Sequence, residues 1–211
     1  MKVLSLSQDH SYYPAALKIS FSYQAPDHIA TLGNLDILSL KKLAFFCSVK
    51  CPGHLILKAH DFAKYLSEAG VTVIGGFHSP VERECLRILL RGTQPIIVCP
   101  ARTLEGLRLP KGYKKPLSEG RLLLLSPFSS RQRRNTSETA LSRNRFVGVL
   151  ADQVFIAHAA PNSKTESFCG EVLEWNKPVY TLQSEANARL ISLGAKGIHP
   201  EELLSKWKST E

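Results

Sequence analysis

The sequence lacks long apolar runs, and this excludes several classes of protein. No stretch of the 211 residues approaches the roughly 20 consecutive apolar residues that a membrane-spanning helix requires. The first ten residues have neither the basic start nor the long apolar stretch of a secretory signal. We therefore expect a cytoplasmic protein with no membrane partner. The hydrophobic content of 44% is still enough to bury a full core.

Several catalytic and ligand-binding signatures are also missing. The chain contains no GxGxxG dinucleotide fingerprint, no P-loop and no GxSxG nucleophile elbow. Its five cysteines are odd in number and lie mostly in apolar segments, which is typical of reduced thiols. Cys47 and Cys51 form a C-x3-C pair without a second Cys or His pair, so we predict no metal site and no cofactor. These absences favour a binding protein over an enzyme.

Acidic residues are scarce in one part of the chain. The formal net charge is +9, and residues 101–145 hold eleven Lys or Arg against three Glu, a net charge of +8. A positive field concentrated in one segment favours an anionic partner, either nucleic acid or a phosphate compound. The alternative is a solvated basic surface without a ligand.

Short apolar segments alternate with helical patterns along most of the chain. This alternation predicts an α/β fold, with a Rossmann-like, doubly wound and mostly parallel sheet that has helices on both faces. The predicted strands cover residues 43–48, 71–75, 95–99, 121–125, 153–157, 179–182 and 195–198. The predicted helices cover residues 53–69, 80–91, 131–150, 164–175, 185–193 and 201–208, and residues 103–118 are predicted to form a long surface loop.

The N-terminal forty residues interrupt this alternation. Prolines, tyrosines and a glycine break any long period there, and the pattern predicts only a short helix near 14–19 and a strand near 29–32. We therefore divide the chain into a lead-in segment, residues 1–40, packed on the core, and a Rossmann-like domain, residues 41–211.

Three junctions between a predicted strand and the following helix carry polar residues. Ligands of open parallel sheets bind at such junctions, where the free N–H groups of the helix favour an anion. Gly75 and Gly76 precede a capping box, residues 79–82, and a second capping box is predicted at residues 163–166. The third junction carries Lys50. The alternative for both capping boxes is an ordinary helix start without a ligand.

Two histidines follow predicted strands and could face the same cleft. His78 and His158 are candidates for acid–base chemistry or for phosphate contacts. Each has the alternative of an ordinary structural histidine.

A run of arginines lies in the predicted helix 131–150. Arg143, Asn144 and Arg145 precede the apolar run FVGVLA, which should dock on the sheet and leave the arginines near its rim. Guanidinium groups suit phosphate oxygens, and an asparagine can hydrogen-bond a base or a sugar.

Taken together, these motifs resemble the DNA-processing protein A family (DprA, also called Smf) over roughly residues 13–200. The resemblance is carried by the stretches YPAALK, KLAFFCSVKCPGHLILKAHDFAKYLSEAG, GGFHSPVE, EGRLLLLSPF and RNRFVGVLADQVFIAHA. It implies single-stranded DNA binding at the strand ends, homodimer formation and transfer of the DNA to a RecA-type recombinase during DNA uptake.

The family's binding residues can be transferred to this sequence one by one. Its Arg-Asn-Arg motif falls on residues 143–145, its glycine turn on 75–76 and its Ser/Thr-rich turn on 163–165. The family's Gly-Ser-Arg turn is Cys-Ser-Val-Lys here, so an arginine contact of the family is either lost or taken over by Lys50. We predict base contacts near Phe77, His78 and Asn144. The DNA or phosphate contacts predicted in this way are Lys50, Gly75, Gly76, His78, Arg143, Asn144, Arg145, Ser163, Lys164 and Thr165.

Two other functions remain open at this point. The sequence is loosely similar to the nucleotide-binding phosphoribohydrolases of the LOG group, because residues 161–166 keep a proline, a threonine and a glutamate of their motif. The three glycines of that motif are absent, and Glu166 or His158 would have to assist the chemistry. The other alternative is an interaction module that binds neither ligand.

Overall fold

Continuous apolar runs form the centre of one sheet, because a strand covered on both faces exposes no side chain to water. The computed structural model describes residues 2–19 and 24–199. Within these residues the strands are β1 (Leu4–Ser7), β2 (His28–Gly33), β3 (Lys42–Phe46), β4 (Thr72–Gly75), β5 (Ile96–Val98), β6 (Leu122–Ser126), β7 (Gln153–Ile156), β8 (Val179–Leu182) and β9 (Lys196–Ile198). Their order in the sheet is β1-β2-β6-β5-β4-β3-β7-β8-β9. The neighbours from β6 to β9 are parallel, whereas β2 is antiparallel to both β1 and β6.

Helices cover both faces of this sheet. They are α1 (Ala15–Ile19), α2 (Gly53–Glu68), α3 (Pro80–Leu89), α4 (Lys114–Ser118), α5 (Ser137–Leu150), α6 (Lys164–Glu174) and α7 (Ala188–Leu193). Alternate residues of β3 pack on opposite faces: Phe45 joins the apolar core beneath α2 and α3, and Phe46 joins the core beneath α5 and α6. None of the helices described is long and apolar enough to cross a bilayer.

The predicted fold class is confirmed, with three local corrections. Strand β1 is an addition, because the alternation of LSLS extends over only four residues, too few to predict an edge strand. The predicted loop 103–118 contains a 3-10 turn, Lys111–Tyr113, and helix α4. Helix α5 begins at Ser137 rather than at residue 131. The predicted helix 201–208 lies outside the described residues.

The late start of α5 has a local cause. Thr136 is the N-cap, and its hydroxyl oxygen accepts the N–H of Thr139 at 3.1 Å. The Thr139 hydroxyl oxygen in turn accepts the N–H of Thr136 at 2.8 Å. This reciprocal pair ends the irregular segment before the helix and fixes where the helix begins.

The order in which the chain adds strands reverses beside β3, although the strands stay parallel. Strands β4, β5 and β6 follow on one side of β3, and the chain then returns to add β7 on the other side. A crevice opens at such a switch point, outside the carboxyl ends of the strands, and it is the usual ligand position in this architecture.

Candidate nucleic-acid interface

The loops that follow β3 and β7 are joined at the switch point. The backbone N–H of Ser48 donates to the carbonyl oxygen of His158 at 2.9 Å, and the Ser48 hydroxyl oxygen accepts the N–H of Ala160 at 3.1 Å. The Ser48 hydroxyl also lies 3.3 Å from that of Ser163, the N-cap of α6. These contacts hold the start of α6 beside the loop that carries Lys50.

A cleft of about 410 Å³ lies at this end of the sheet. Its lining comes from the loops after β3, β4 and β5, from the first half of α5 with the two residues before it, and from the first residue of α6. The lining comprises Val49, His78, Ala101, Asn135, Thr136, Ser137, Ala140, Leu141, Asn144 and Lys164. Three of the predicted contact residues therefore meet in one cleft: His78, Asn144 and Lys164. We name it the strand-end cleft.

Two helix N-termini open onto the strand-end cleft. Helix α5 begins at Thr136 and Ser137, and α6 begins at Lys164, the cationic residue of the cleft. The N–H groups of the first turn and the helix dipole favour an anion at both places. Ala140 and Leu141 supply an apolar wall between them, so the cleft can take a ligand that is part phosphate and part base or sugar.

Arg143 does not stand free in the cleft. Its side chain is buried, with 4% of the residue exposed, and Nη1 donates to the carbonyl oxygen of Cys99 at 3.0 Å. Burial lowers the pKa of Arg143, and the nearby carboxylate of Glu82 partly offsets this effect. The guanidinium lies against Gly76, where a Cβ atom would overlap it. A side chain at position 76 would therefore displace the Arg143 guanidinium from its present position.

Arg143 also orients Asn144. Its Nε donates to Oδ1 of Asn144 at 2.8 Å, so the amide oxygen is already occupied. The two N–H groups of Asn144 Nδ2 have no partner within the part of the chain that the structure describes and are available to a ligand at the cleft. Asn144 is thus presented as a hydrogen-bond donor.

Arg145 lies on the seam between α5 and α6, apart from the residues that line the cleft. Its Nε and Nη2 donate to the two carboxylate oxygens of Glu171 at 2.7 and 2.9 Å. This bidentate pair raises the pKa of Arg145. A direct contact of Arg145 with DNA stays a prediction, and it requires the side chain to leave Glu171.

The glycine turn after β4 is organised by a buried carboxylate. Glu82 accepts the N–H groups of Cys47 at 2.8 Å, His78 at 2.7 Å and Ser79 at 3.2 Å. Together with the Ser79 hydroxyl, which accepts the N–H of Glu82, this confirms the first predicted capping box. Several N–H groups of this turn are therefore already satisfied by the protein.

The aromatic residue of this turn faces inward. Phe77 has a positive φ of 47° and is 5% exposed, and its ring packs under Gly75 within the core beneath α2 and α3. The Phe77 ring is therefore not presented to solvent, and a base contact near this residue stays a prediction. His78 is exposed, and its imidazole is the one ring among the described residues that line the cleft.

The second predicted capping box is formed only in part. Ser163 accepts the N–H of Glu166 at 3.2 Å, but the Glu166 carboxylate accepts the N–H of Asn162, at 2.7 Å, instead of that of Ser163. The N–H of Ser163 donates to the carbonyl oxygen of Ala160 at 3.1 Å, and a phosphate contact of Ser163 stays a prediction. Thr165 is half-buried on the first turn of α6.

Both residues proposed for hydrolase chemistry are held in structural roles. Glu166 is paired with Arg189, whose Nε lies 2.6 Å from Oε1, and this pair lowers the pKa of the carboxyl group. His158 is 5% exposed, and its Nδ1 lies 2.8 Å from Oδ1 of Asn187. Since the Asn187 amide nitrogen donates to two carbonyl oxygens, Nδ1 of His158 must be the donor to Oδ1.

The segment that leads into the cleft lining at Asn135 is basic, and the sequence analysis did not assign it to the site; we name it the arginine rim. Arg131, Arg133 and Arg134 are exposed on the segment before Asn135, and none has an ion-pair partner within residues 2–19 and 24–199. The N–H of Thr103 donates to the backbone carbonyl oxygen of Gln132 at 2.8 Å and fixes this segment to the body of the protein. The sequence analysis predicts a helix over residues 131–136, and for this reason it does not identify these arginines as an exposed segment. The hydroxyls of Thr136 and Thr139 are the sequence signal that favours the later helix start.

Comparisons with known proteins identify relatives of the same fold. A family model described as DNA recombination-mediator protein A matches residues 4–208. The X-ray structure of DNA processing protein A (DprA) from Streptococcus pneumoniae is similar with a TM-score of 0.81 and 21% identity, over 97% of this chain and 74% of that chain. DNA processing protein A from Helicobacter pylori, a structure concerned with its single-stranded DNA binding mode, has a TM-score of 0.81 and 18% identity, over 100% of this chain and 97% of that chain.

More distant structures share the architecture only. A molybdenum cofactor carrier protein from Chlamydomonas reinhardtii has a TM-score of 0.56 and 13% identity, over 81% of this chain and 98% of that chain. No curated protein sequence matches the chain. The family model, in contrast, spans almost all of the described residues, and the resemblance predicted from the motifs is confirmed. The chain belongs to the DNA recombination-mediator protein A family.

Proposed function

We propose that this protein binds single-stranded DNA in the strand-end cleft and acts as a recombination mediator. The observation that carries the proposal is the cleft itself, where two helix N-termini, Lys164, His78 and Asn144 meet beside an unpaired basic rim. Membership of the DNA recombination-mediator family supports the ligand class. The DNA binding of the Helicobacter pylori relative supports the single-stranded form.

The chemistry of the cleft suits a strand better than a duplex. Phosphates would lie at Lys164, at the first turns of α5 and α6, and along the arginine rim, while Lys50 extends the positive surface beside Val49. Sugars and bases would contact the apolar wall of Ala140 and Leu141, with Asn144 Nδ2 donating to a base or sugar oxygen. Unpaired bases are accessible to such contacts because they are not stacked within a helix.

Arg143 has a positioning role in this proposal. It orients the Asn144 amide and fills the space above Gly76, while leaving little of its own guanidinium open to a phosphate. Gly75 and Gly76 shape the backbone after β4, and Ser163 and Thr165 shape the start of α6.

Replacing Lys164 by alanine is expected to weaken binding of a labelled poly-dT oligonucleotide by roughly fivefold to tenfold at low salt, the effect of about one lost phosphate contact. The slope of log affinity against log salt should also become less steep by about 0.7. Fluorescence anisotropy at several salt concentrations measures both quantities.

Lys64→Ala is the matched control, because Lys64 is an exposed lysine on α2, near the opposite end of the sheet. It removes the same charge and should leave affinity and slope unchanged. Absence of salt-sensitive binding by the wild-type protein would contradict the proposed function. Equal effects of the two substitutions would contradict the site.

The same proposal includes assembly and a protein partner. We propose a cytoplasmic homodimer that transfers its DNA to a RecA-type recombinase, as the family resemblance implies. Light scattering should then give twice the chain mass of 23.4 kDa, and DNA-loaded protein should accelerate filament formation by a RecA-type recombinase. A monomeric mass at all concentrations would contradict the dimer, and an unchanged filament rate would contradict the transfer.

A phosphoribohydrolase function has less support. The glycines of its nucleotide motif are missing, Glu166 is held by Arg189, and His158 is buried against Asn187. Thermal stabilisation by AMP that is unaffected by oligonucleotide would reverse this preference, because a ligand raises apparent stability by mass action.

A further inference from the structure

The structure divides the basic segment 101–145 between the two ends of the sheet. The arginine rim follows the carboxyl end of β6, whereas Arg121 directly precedes β6, and Lys111 and Lys115 lie on the turn and helix before it. Strand β6 has five residues, which at about 3.3 Å per residue separate the two basic groups by on the order of 15 Å. The strand-end cleft therefore uses only the later part of this positive charge.

The earlier part lines a second cleft, at the amino ends of β5 and β6. It has a volume of about 660 Å³ and lies between the turn after α3 and the segment that contains the 3-10 turn and α4. Four of its lining side chains are basic and one is acidic: Arg91, Lys111, Lys115, Arg121 and Glu119. We name it the amino-end cleft. Concave sites lined by charge of one sign concentrate the opposite ion, so this cleft favours an anion.

Arg121 is the anchored cation of the amino-end cleft. Its side chain is 11% exposed, its Nε donates to Glu119 at 2.8 Å, and its Nη2 donates to the carbonyl oxygen of Leu90 at 2.8 Å. The carbonyl at the end of α3, which would repel an anion, is thereby covered. Nη1 is buried and has no acceptor within the described part of the chain. The guanidinium therefore keeps an unsatisfied donor in the wall of the cleft, an unfavourable state that an anion can relieve.

The remaining cations of the cleft are not neutralised by the protein. Glu119 is shared between Arg121 and Lys115, whose Nζ lies 3.6 Å from its carboxylate. Arg91 and Lys111 are exposed, and neither has an ion-pair partner in residues 2–19 and 24–199. One carboxylate thus faces four cations, and the excess charge is left for a ligand.

We propose that the amino-end cleft binds the phosphate groups of an anionic ligand, at a site separate from the strand-end cleft. Lys111, Lys115 and Arg91 would contact the phosphate oxygens, with Arg121 fixed behind them. Charge-assisted hydrogen bonds of this kind are the strong ones. The same chemistry serves a free nucleotide and the backbone of a nucleic acid, and the experiment separates the two sources. The inference goes beyond the proposed function and does not rest on it.

Inorganic tripolyphosphate, the phosphate chain alone, is the probe. It should raise the melting temperature of the wild-type protein in a concentration-dependent way, because a ligand that binds the folded state stabilises it by mass action. The double variant Lys111→Ala/Lys115→Ala should bind tripolyphosphate at least about tenfold more weakly, as the loss of charge-assisted hydrogen bonds implies. Both side chains are exposed, so the variant should fold.

Lys58→Ala/Lys64→Ala is the matched control. It also removes two exposed lysines, and Lys64 pairs with Glu68 four residues later, as Lys115 pairs with Glu119. Neither Lys58 nor Lys64 lines the amino-end cleft. The control should bind tripolyphosphate with the affinity of the wild type.

Three results would overturn the inference. They are the absence of any stabilisation by tripolyphosphate, equal binding by Lys111→Ala/Lys115→Ala and its control, and loss of binding in Lys164→Ala, which would place the phosphates in the strand-end cleft. Competition in the Lys164→Ala protein identifies the source: displacement of tripolyphosphate by poly-dT assigns the site to nucleic acid, and no displacement assigns it to a free phosphorylated compound. Tripolyphosphate binding by a wild-type protein that binds no poly-dT would support the site and contradict the proposed function.

Discussion

Replacing Glu82 by alanine is expected to lower the free energy of unfolding by about 3–5 kcal/mol, the cost typical of breaking a buried charged network. The residue is 6% exposed, and its carboxylate accepts three backbone N–H groups from the loops after β3 and β4. The nearby carboxylate also raises the pKa of the buried Arg143 guanidinium, which burial lowers. Alanine would leave these donors and this charge without compensation, and urea unfolding measures the change.

Glu84→Ala provides the matched control on the same helix. Glu84 is exposed and pairs with Arg87 one turn later, so its removal should cost less than about 1 kcal/mol. Glu82→Gln should fall between the two, since the amide keeps one acceptor oxygen. If Glu82→Ala and Glu84→Ala unfold at similar urea concentrations, the carboxylate does not organise the cleft loops.

Removing the arginine rim by replacing Arg131, Arg133 and Arg134 with alanine is expected to weaken single-stranded DNA binding on the order of 100-fold at low salt. The slope of log affinity against log salt should become less steep by about 2, as three single-strand phosphate contacts would require. The side chains are exposed and carry no ion pair within the described residues, so stability should change little.

The control for the rim removes three exposed cations elsewhere. Lys58→Ala, Lys64→Ala and Arg87→Ala together change the net charge equally on α2 and α3. A rim variant that binds no worse than this control would indicate that the DNA follows another path, or that only net charge matters.

The fold could be predicted because its signals are local. Strands such as β6 and β8 are buried along their whole length, so they read as continuous apolar runs. Strand β1 escaped prediction because its place in the sheet depends on pairing with β2 rather than on its own composition. The start of α5 is predicted too early because arginines are good helix formers. The reciprocal Thr136–Thr139 bonds override that propensity and make the helix begin later.

The site could be predicted less completely, because two of its residues depend on distant partners. The spacing from Thr139 to Arg143 and Val147 puts the arginine on the buried face of α5, but a charged side chain on such a face is unusual. It is tolerated because the Cys99 carbonyl accepts its N–H and Gly76 leaves room for it. Phe77 likewise turns inward through a positive φ, a conformation that its residue type does not suggest.

The position of β2 in the sheet has a consequence for how the chain is made on the ribosome. Ala30 of β2 pairs with Ser126 of β6, which is synthesised 96 residues later. At a synthesis rate of about 5–20 residues per second, roughly 5–20 s pass between the synthesis of β2 and that of this neighbour. Until then it can pair only with β1, and an isolated two-stranded hairpin is marginally stable in water. Strand β2 therefore completes its place in the sheet only after β6 has been translated.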